Sequence, residues 1–300
     1  MDGYFLEVNK IACQRLRYTK DELMKLKPYD ITYQPENNLK QLKIDIKHHG
    51  HVIFEATHVR KDGTFIPVEM NMRMIEYNGI PALLGIARDI TERKYAEEIR
   101  EKDIHHRVKN NLQVISSLLS LQSEFFGNET VIEAFRESQN RVRSMAIAHE
   151  KLYQSKDIAS IDVADYIQNL TNYLYLSYRG RSSEIGLNVD IDNIFLNMDT
   201  AIPLGIIINE LVSNSLKHAF VNSETGKIKI KLRKHRNNNY TLIVSDNGKG
   251  FPDELDFKET DSLGMQLVNT LVEQIDGTIK LDKYNGTVFT IIFRELVYKN

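Results

Sequence analysis

Two adjacent histidines, His105 and His106, lie among charged and amide side chains in residues 103–113. A neutral imidazole nitrogen is a nucleophile, and its reaction requires a group that orients the ring or accepts its proton. On a helix, Asp103 lies about one turn before His106 and Asn110 about one turn after it, so both share its face. The stretch therefore has the residue types and spacing of a reactive histidine, with Asp103 as candidate orienting group or proton acceptor.

A second polar cluster lies on a predicted helix that ends near residue 220. Glu210, Asn214, Lys217 and His218 fall within an arc of about 100° at the helical repeat. An amide oxygen suits Mg²⁺, and an ammonium group suits phosphate. The alternative for such an arc is an ordinary solvated face.

Glycine-containing loops follow this helix. Asp246 ends a predicted strand, where a carboxylate can accept the amino group of adenine, and Gly248 and Gly250 allow backbone to approach a ligand closely. Residues 262–267 enter a helix whose free amides can receive phosphates. Thr287 follows a turn into the last predicted strand. Taken alone, Asp-x-Gly-x-Gly is a weak signal, because loops commonly contain aspartate and glycine.

The histidines begin a predicted helical hairpin. Apolar residues recur at steps of four and three along both helices, and His149 lies on the stripe of the second. Two such helices form half of a four-helix bundle, so the pattern favours a homodimer and leaves a monomer open. We expect His149 to be a hydrogen-bonded core histidine rather than a second acceptor. His105 points about 100° from His106 and is expected to be a solvated neighbour.

The flanking regions predict α/β structure. Before the hairpin, Thr19 and Glu22 form a capping box, and three strands are joined by Asp-Gly and Asn-Gly turns. The predicted strands are 51–59, 65–77 and 81–90.

Residues 158–300 alternate helices with strands of a mixed sheet, which predicts a two-layer α/β sandwich. Asp199 or Thr200 is expected to cap the helix that carries Asn214.

Composition excludes several classes of protein. The net charge of −2 provides no basic field for nucleic acid. The alternating lysines of residues 227–233 are better explained as the wet face of a sheet. No run approaches the roughly 18 apolar residues of a membrane span. With Cys13 as its single cysteine, the chain is expected to be cytoplasmic and to lack a membrane span.

Residues 1–91 resemble a PAS sensor domain. The resemblance rests on Asp2-Gly3, Val8-Asn9, Arg17-Tyr18, Lys61-Asp62-Gly63 and the closing run 89–93. A PAS fold normally has a strand before the first Asp-Gly turn, so the first strand is expected to be missing here. The resemblance implies a signal ligand or protein of unknown identity.

Residues 158–300 resemble the ATPase domain of histidine kinases, the Bergerat or GHKL fold. The resemblance rests on the order of the helix 209–219 and the loops at 246, 262 and 286. The loop at 262 departs from the family pattern, because it keeps only Gly264 of the usual Gly-x-Gly. It implies ATP and Mg²⁺ as cofactors, with Asn214 on the metal, Lys217 and His218 near the phosphates, and Asp246 on adenine. The other implied ATP-binding residues are Gly248, Gly250, Leu263, Gly264, Met265 and Thr287.

Residues 106–115 resemble the phosphoacceptor box of the HisKA type-2, HWE-like histidine kinases, in which the histidine before arginine is the acceptor. This resemblance selects His106 and implies autophosphorylation by ATP, followed by transfer to a response-regulator aspartate. Asp103, Asn110 and Glu210 are the further catalytic candidates, and Asn110 is expected to position water in the reverse, phosphatase reaction.

The predicted chain is an α+β multidomain protein. It has a PAS domain at 1–91, a signalling helix with a dimerisation and phosphoacceptor hairpin at 92–157, and an ATP-binding α/β sandwich at 158–300. Two alternatives do not use His106: a GHKL-type ATPase or protein-serine kinase, and a nucleotide-binding dimeric scaffold.

Overall fold

A computed structural model describes residues 3–33, 45–46, 48–154, 160–178, 184–220, 225–252, 254–259 and 262–296. The chain forms two compact units, Met1–Arg100 and Glu101–Asn300. The predicted domain boundary at residue 157 lies outside the described residues, and the predicted domain limits stay predictions.

The first unit contains an antiparallel sheet with strand order β1-β2-β3-β4. Its strands are β1 (Thr32–Tyr33), β2 (His51–Val59), β3 (Phe65–Tyr77) and β4 (Ile80–Asp89). Gly63, Asn78 and Gly79 have positive φ angles, which the two tight turns of this meander require. The three strands predicted from the Asp-Gly and Asn-Gly turns are confirmed.

Short helices precede this sheet. Helix α1 (Lys10–Leu16) is capped by Asn9, and helix α2 (Lys20–Leu23) begins with the predicted capping box, in which Thr19 and Glu22 bond each other's backbone. Leu16, Leu23 and Ile31 form a small buried cluster. The PAS fold predicted for this region is confirmed.

The second unit begins within a long helix. Helix α3 (Thr91–Glu124) carries both adjacent histidines, and helix α4 (Glu129–Gln154) returns beside it. None of the residues of α3, all of which the structure describes, is buried. Helix α4 buries six residues, including Ala148 and Leu152. The predicted helical hairpin is therefore present, with its second helix packed much more deeply than its first.

An α/β sandwich follows the hairpin. Its helices are α5 (Val163–Tyr178), α6 (Met198–Asn214) and α7 (Leu263–Gln274). Its strands are β5 (Ile161–Asp162), β6 (Glu184–Ile191), β7 (Phe195–Leu196), β8 (Thr225–Lys234), β9 (Asn239–Asp246), β10 (Thr278–Asp282) and β11 (Thr287–Arg294). Short 3₁₀ helices span Pro28–Ile31 and Arg236–Asn238.

The main sheet of the sandwich has the order β10-β11-β9-β8-β6, and the separate pair β5-β7 is antiparallel. Only the β6–β8 pairing is parallel in the main sheet, so the sheet is mixed as predicted. Along β8, Ile228, Ile230 and Leu232 are fully buried and alternate with exposed lysines. Lys227, Lys229 and Lys231 therefore form the solvent-exposed face of this strand, as predicted.

The hydrophobic core of the second unit joins the sandwich to α4. Ile147, Ala148 and Leu152 belong to the same buried cluster as Leu204 and Ile207 of α6. The α+β architecture predicted from the sequence is confirmed. In the described parts of the chain, no helix has the length and apolar character needed to cross a membrane.

Replacing Gly205 with alanine should destabilise the sandwich. A Cβ at Gly205 would lie 1.8 Å from Oη of Tyr166, whose ring is fully buried on α5. Overpacking of this kind costs about 1–3 kcal/mol, so the denaturant midpoint of the second unit should fall. Gly127→Ala is the control, because nothing lies within 4 Å of the added Cβ. Equal midpoints for the two variants would contradict this packing.

Candidate functional site

The imidazole of His106 is exposed on helix α3. Its Nδ1 lies 3.4 Å from Nδ2 of Asn110, one turn along the helix, and its ring centre lies 5.5 Å from that of Tyr153 on α4. An asparagine amide can meet Nδ1 with its oxygen as well as its nitrogen. When its amide oxygen faces the ring, Asn110 accepts a hydrogen bond from Nδ1–H of His106, and the lone pair on Nε2 is then free for reaction.

Asp103 contacts Arg107 rather than His106. Arg107 Nε lies 2.8 Å from Asp103 Oδ2, an ion pair between residues four apart on the surface of α3. The structure thus brings Asn110, but not Asp103, to the ring of His106. It also accounts for Arg107, which follows the candidate acceptor and neutralises this carboxylate.

His105 is half-buried against α4. Its Nδ1 lies 3.2 Å from Nδ1 of His149, and the ring centres are 5.4 Å apart. The prediction that His105 is a solvated neighbour is wrong, because its side chain faces the second helix of the hairpin. The predicted hydrogen bonding of His149 is confirmed, but its side chain is half-buried rather than part of the core. Burial and the charge of His105 lower the pKa of His149 to about 4, so this ring is neutral near pH 7.

The helix predicted to carry the nucleotide residues changes its winding near its end. The α-helical part stops at Asn214, and Ser215–Ala219 forms one π-helical turn. Its N-cap is Asn197, whose side chain accepts from the backbone N–H of Thr200, and not Asp199 or Thr200 as predicted. The widened turn carries Ser215, which donates to Asp246 over 2.8 Å.

Asp246 is buried at the end of β9, at the position predicted for adenine recognition. Its two oxygens accept from Ser215 Oγ and from the backbone N–H of Gly248, at 2.8 and 3.0 Å. Thr287 is its register partner on β11 and is also buried. The carboxylate is therefore held in one orientation by the helix and by its own loop.

Two glycines allow the loops around Asp246 to pack. A Cβ at Gly248 would lie 2.3 Å from the carbonyl oxygen of Ala219, and one at Gly286 would lie 2.1 Å from that of Asp246. Gly286 and Gly250 also have φ angles of +113° and +83°. The predicted Gly248 and Gly250 thus shape the loop, and Gly286 was missed as a close-packing residue.

The start of α7 meets α6 at the other end of the site. Asn214 Nδ2 lies 3.6 Å from Sδ of Met265, and a Cβ at Gly264 would lie 2.6 Å from Oε2 of Glu210. Leu263 is exposed at this helix start. The structure therefore brings Glu210, Asn214 and residues 263–265 together, and only glycine fits at position 264 without a shift of Glu210.

Glu210 is buried and paired with Arg141 of α4. Nε and Nη2 of Arg141 donate to the two carboxylate oxygens, each over 2.8 Å, and Asn209 Nδ2 donates to Oε1 over 2.8 Å. Its hydrogen bonds to Glu210 raise the pKa of Arg141 above its usual range. This bidentate pair fixes α4 on the helix that carries the candidate nucleotide residues.

Lys217 is also paired with α4. Its Nζ lies 2.9 Å from Glu133 Oε1 and 2.5 Å from Glu137 Oε1. Burial lowers the pKa of this ammonium group, but the hydrogen bonds to Glu137 and Glu133 outweigh it and give a net rise. Glu137 also lies 3.5 Å from Arg141, so one network joins both cations.

The four polar residues predicted on one arc have different neighbours. Glu210 and Lys217 contact α4, Asn214 contacts α7, and His218 is exposed. The contacting residues Glu133, Glu137 and Arg141 were missed, although their spacing of four places them on one helix face.

A magnesium site at Asn214 has no preformed cage of acidic ligands. Across the described ranges, no group of three or more His, Cys, Asp or Glu side chains could hold a metal. A metal ion shared with substrate phosphates needs few protein ligands, and the amide of Asn214 beside the start of α7 is compatible with that arrangement.

Family models match three parts of the chain. Residues 1–92 match the PAS domain, residues 103–178 match a family described as histidine kinase, and residues 199–296 match the histidine kinase-, DNA gyrase B-, and HSP90-like ATPases. The second match covers both adjacent histidines, and the third covers the site around Asp246.

Two curated relatives are similar over most of the chain. Sensor histidine kinase PdtaS of Mycolicibacterium smegmatis is 35% identical over 205 residues, which are 65% of this chain and 40% of the relative. Blue-light-activated histidine kinase 2 of Erythrobacter litoralis is 27% identical over 220 residues, which are 69% of this chain and 62% of the relative. The match therefore spans less than two thirds of either relative.

A solved structure shares the fold. A blue-light-activated histidine kinase of Erythrobacter litoralis aligns over 98% of this chain and 91% of its own, with a TM-score of 0.53 and 21% identity.

Breaking the pair of Arg141 and Glu210 should destabilise the second unit strongly. Their side chains are only 13% and 5% exposed, and Arg141→Met would leave a buried carboxylate without its cation. That costs about 3–5 kcal/mol, whereas the double variant with Glu210→Gln should lose less than the sum of the single losses. Denaturant unfolding of the four chains measures the coupling.

Arg233→Met is the matched control, because Arg233 pairs with Asp190 at the surface. Its unfolding midpoint should stay near that of the wild type. Strictly additive losses for Arg141→Met and Glu210→Gln would show that the buried pair does not couple α4 to α6.

Proposed function

Because the chain consists of a PAS domain, a histidine kinase domain and a histidine-kinase-type ATPase domain, we propose that it is a sensor histidine kinase that phosphorylates itself on His106 with ATP. The observation that carries this proposal is the exposed imidazole of His106, bonded to Asn110, in the same compact unit as the site around Asp246.

ATP would bind with its adenine at Asp246. The carboxylate is oriented by Ser215 and Gly248, and it retains lone pairs that can accept the exocyclic amino group. Thr287 lies beside it on β11, and Gly250 shapes the adjoining loop. This end of the site supplies recognition of the base.

The phosphates would lie towards Asn214 and the start of α7. The N-terminus of α7, at residues 263–265, presents backbone amides and a positive dipole, which suit an anion. Lys217 and His218 supply the side chains for phosphate contact. Mg²⁺, held by the amide oxygen of Asn214 and by the phosphates, would neutralise charge during transfer.

The reaction at His106 is a phosphoryl transfer to nitrogen. With the amide oxygen of Asn110 accepting from Nδ1–H, the Nε2 lone pair forms the P–N bond while the P–O bond to ADP breaks. The ring is then cationic and returns to neutrality by losing a proton. Glu210 can act in this step only after its carboxylate exchanges Arg141 for another partner.

The phosphorylated histidine would supply a response-regulator aspartate, with the P–N bond exchanged for a P–O bond. Helix α3 exposes apolar side chains beyond His106, at Val114, Ile115, Leu118 and Leu121. A second copy of the chain would cover this surface and complete a four-helix bundle. The PAS domain would receive the signal, and the cytoplasmic location stays a prediction.

Incubation of the chain with γ-labelled ATP and Mg²⁺ should give acid-labile, alkali-stable label. His106→Gln should reduce this label to background, because glutamine has no nucleophilic ring nitrogen. His235→Gln, an exposed histidine on the ATPase sandwich, is the control and should keep the label. Acid-stable label would favour a protein-serine kinase, and ATP binding without label would favour a scaffold.

Removing the carboxylates that pair with Lys217 should strengthen ATP binding. Glu133→Gln with Glu137→Gln frees this ammonium group for phosphate, a gain of about 1 kcal/mol or roughly fivefold in Kd. Calorimetric titration of the full chain with ATP measures it. Glu124→Gln with Glu129→Gln, at two exposed positions of the hairpin, removes the same number of charges and is the control. An unchanged Kd in the double variant would remove Lys217 from the phosphate contacts.

A further inference from the structure

Helix α3 has no buried side chain to set its rotation. A helix normally keeps one face fixed by packing apolar residues into a core. The part of α3 that carries the histidines has apolar residues that are only half-buried, such as Val108 and Leu112, so polar contacts with α4 contribute to the direction in which His106 points. Apart from the bond that Gln139 Nε2 donates to the carbonyl oxygen of Ser116, the contacts described below lie in one short stretch of the hairpin.

Three side-chain contacts join the two helices at this level. His105 Nδ1 lies 3.2 Å from His149 Nδ1, Lys109 Nζ lies 3.1 Å from Glu150 Oε1, and the rings of His106 and Tyr153 are 5.5 Å apart. His105 and His106 are adjacent on one turn of α3. A contact that fixes the direction of the His105 ring therefore also fixes the backbone from which the His106 ring projects.

A hydrogen bond between the two imidazoles requires their Nδ1 atoms to differ in protonation. One Nδ1 must carry the hydrogen and donate, while the other must be unprotonated and accept. Such a bond constrains the tautomer, the ring plane and the χ angles of both residues together. His149 is attached to the buried part of α4, next to Ala148 at 0% exposure, so its position is set by the core.

We propose that His149 is a positioning residue for phosphorylation of His106. Its bond to His105 holds the rotation of α3 at which the His106 ring is exposed to solvent, where a phosphoryl donor can reach it. This inference rests on the proposed function, because it requires His106 to be the acceptor. It gives His149 no contact with the reacting atoms, and it assigns His105 the role of connecting the core to the reactive turn.

Substitutions at position 149 distinguish the effect of the hydrogen bond from the effect of the side-chain shape on the labelling rate. Asparagine places an amide atom close to the position of Nδ1, whereas phenylalanine keeps a ring without any bonding atom. With saturating labelled ATP, His149→Phe should lower the single-turnover rate of His106 labelling by about tenfold, the factor for one hydrogen bond of usual strength. His149→Asn should retain most of the rate.

The Kd for ATP and the unfolding midpoint are measured for every variant, and both should change little in His149→Asn. His235→Asn controls for loss of an exposed histidine elsewhere in the chain. The double variant His105→Asn, His149→Asn replaces the imidazole pair by an amide pair and should recover part of the rate lost in His105→Phe.

Several results would overturn the inference. A wild-type rate in His149→Phe, an equal loss in His149→Asn and His149→Phe, or a rate that falls only in proportion to the folded fraction would each do so. Label that persists on His149 in the His106→Gln chain would make His149 an acceptor instead. No label on the wild-type chain would overturn the proposed function together with this inference, whereas label on His106 that is insensitive to position 149 overturns the inference alone.

Discussion

The buried carboxylate of Glu210 imposes the constraint on which the second unit is built. An ionised group at 4% exposure must be neutralised where it lies, and Arg141 is the cation that does so. Because this partner comes from α4, the ion pair joins the hairpin to the helix of the candidate nucleotide site. The same face of α4 then places Glu133 and Glu137 on Lys217, and the buried end of the helix supports His149.

Helix α4 therefore connects the two candidate sites. One face meets α6 through charges and packs Ile147, Ala148 and Leu152 into the core of the sandwich. Another face meets α3 through His149, Glu150 and Tyr153. A change in the charges around Lys217, such as the arrival of phosphate, would act on the helix that contacts the candidate acceptor His106 and its neighbour His105.

Local patterns in the sequence predicted the elements well. The Asp-Gly and Asn-Gly turns locate the meander of the first unit, and the alternation along β8 identifies its wet lysine face, because both depend on neighbouring residues alone. The loop around Asp246 was also predicted, although its oxygens are oriented by Ser215 on a π-helical turn that no periodicity indicated.

Contacts between distant residues were the part that the sequence did not reveal. Arg141 and Glu210 lie 69 positions apart, and nothing local distinguishes Arg141 from a solvated arginine. His105 was expected in solvent because its direction depends on where α4 lies. The ion pair of Asp103 and Arg107, by contrast, joins residues four apart on a helix and is predictable from the sequence. It was missed because Asp103 was expected to contact His106 instead.

The absence of buried residues from α3 has a mechanical consequence. Within one chain, the apolar residues of α3 are at most half-buried, as Val108 and Leu112 are, so rotation of α3 about its own axis disrupts less packing than rotation of α4 would. Helix α4 cannot turn in this way without disrupting packed side chains. Within one chain, the hairpin thus joins a helix that resists rotation weakly to one that resists it strongly, and the contacts of His105 and Lys109 with α4 hold the first helix at one angle.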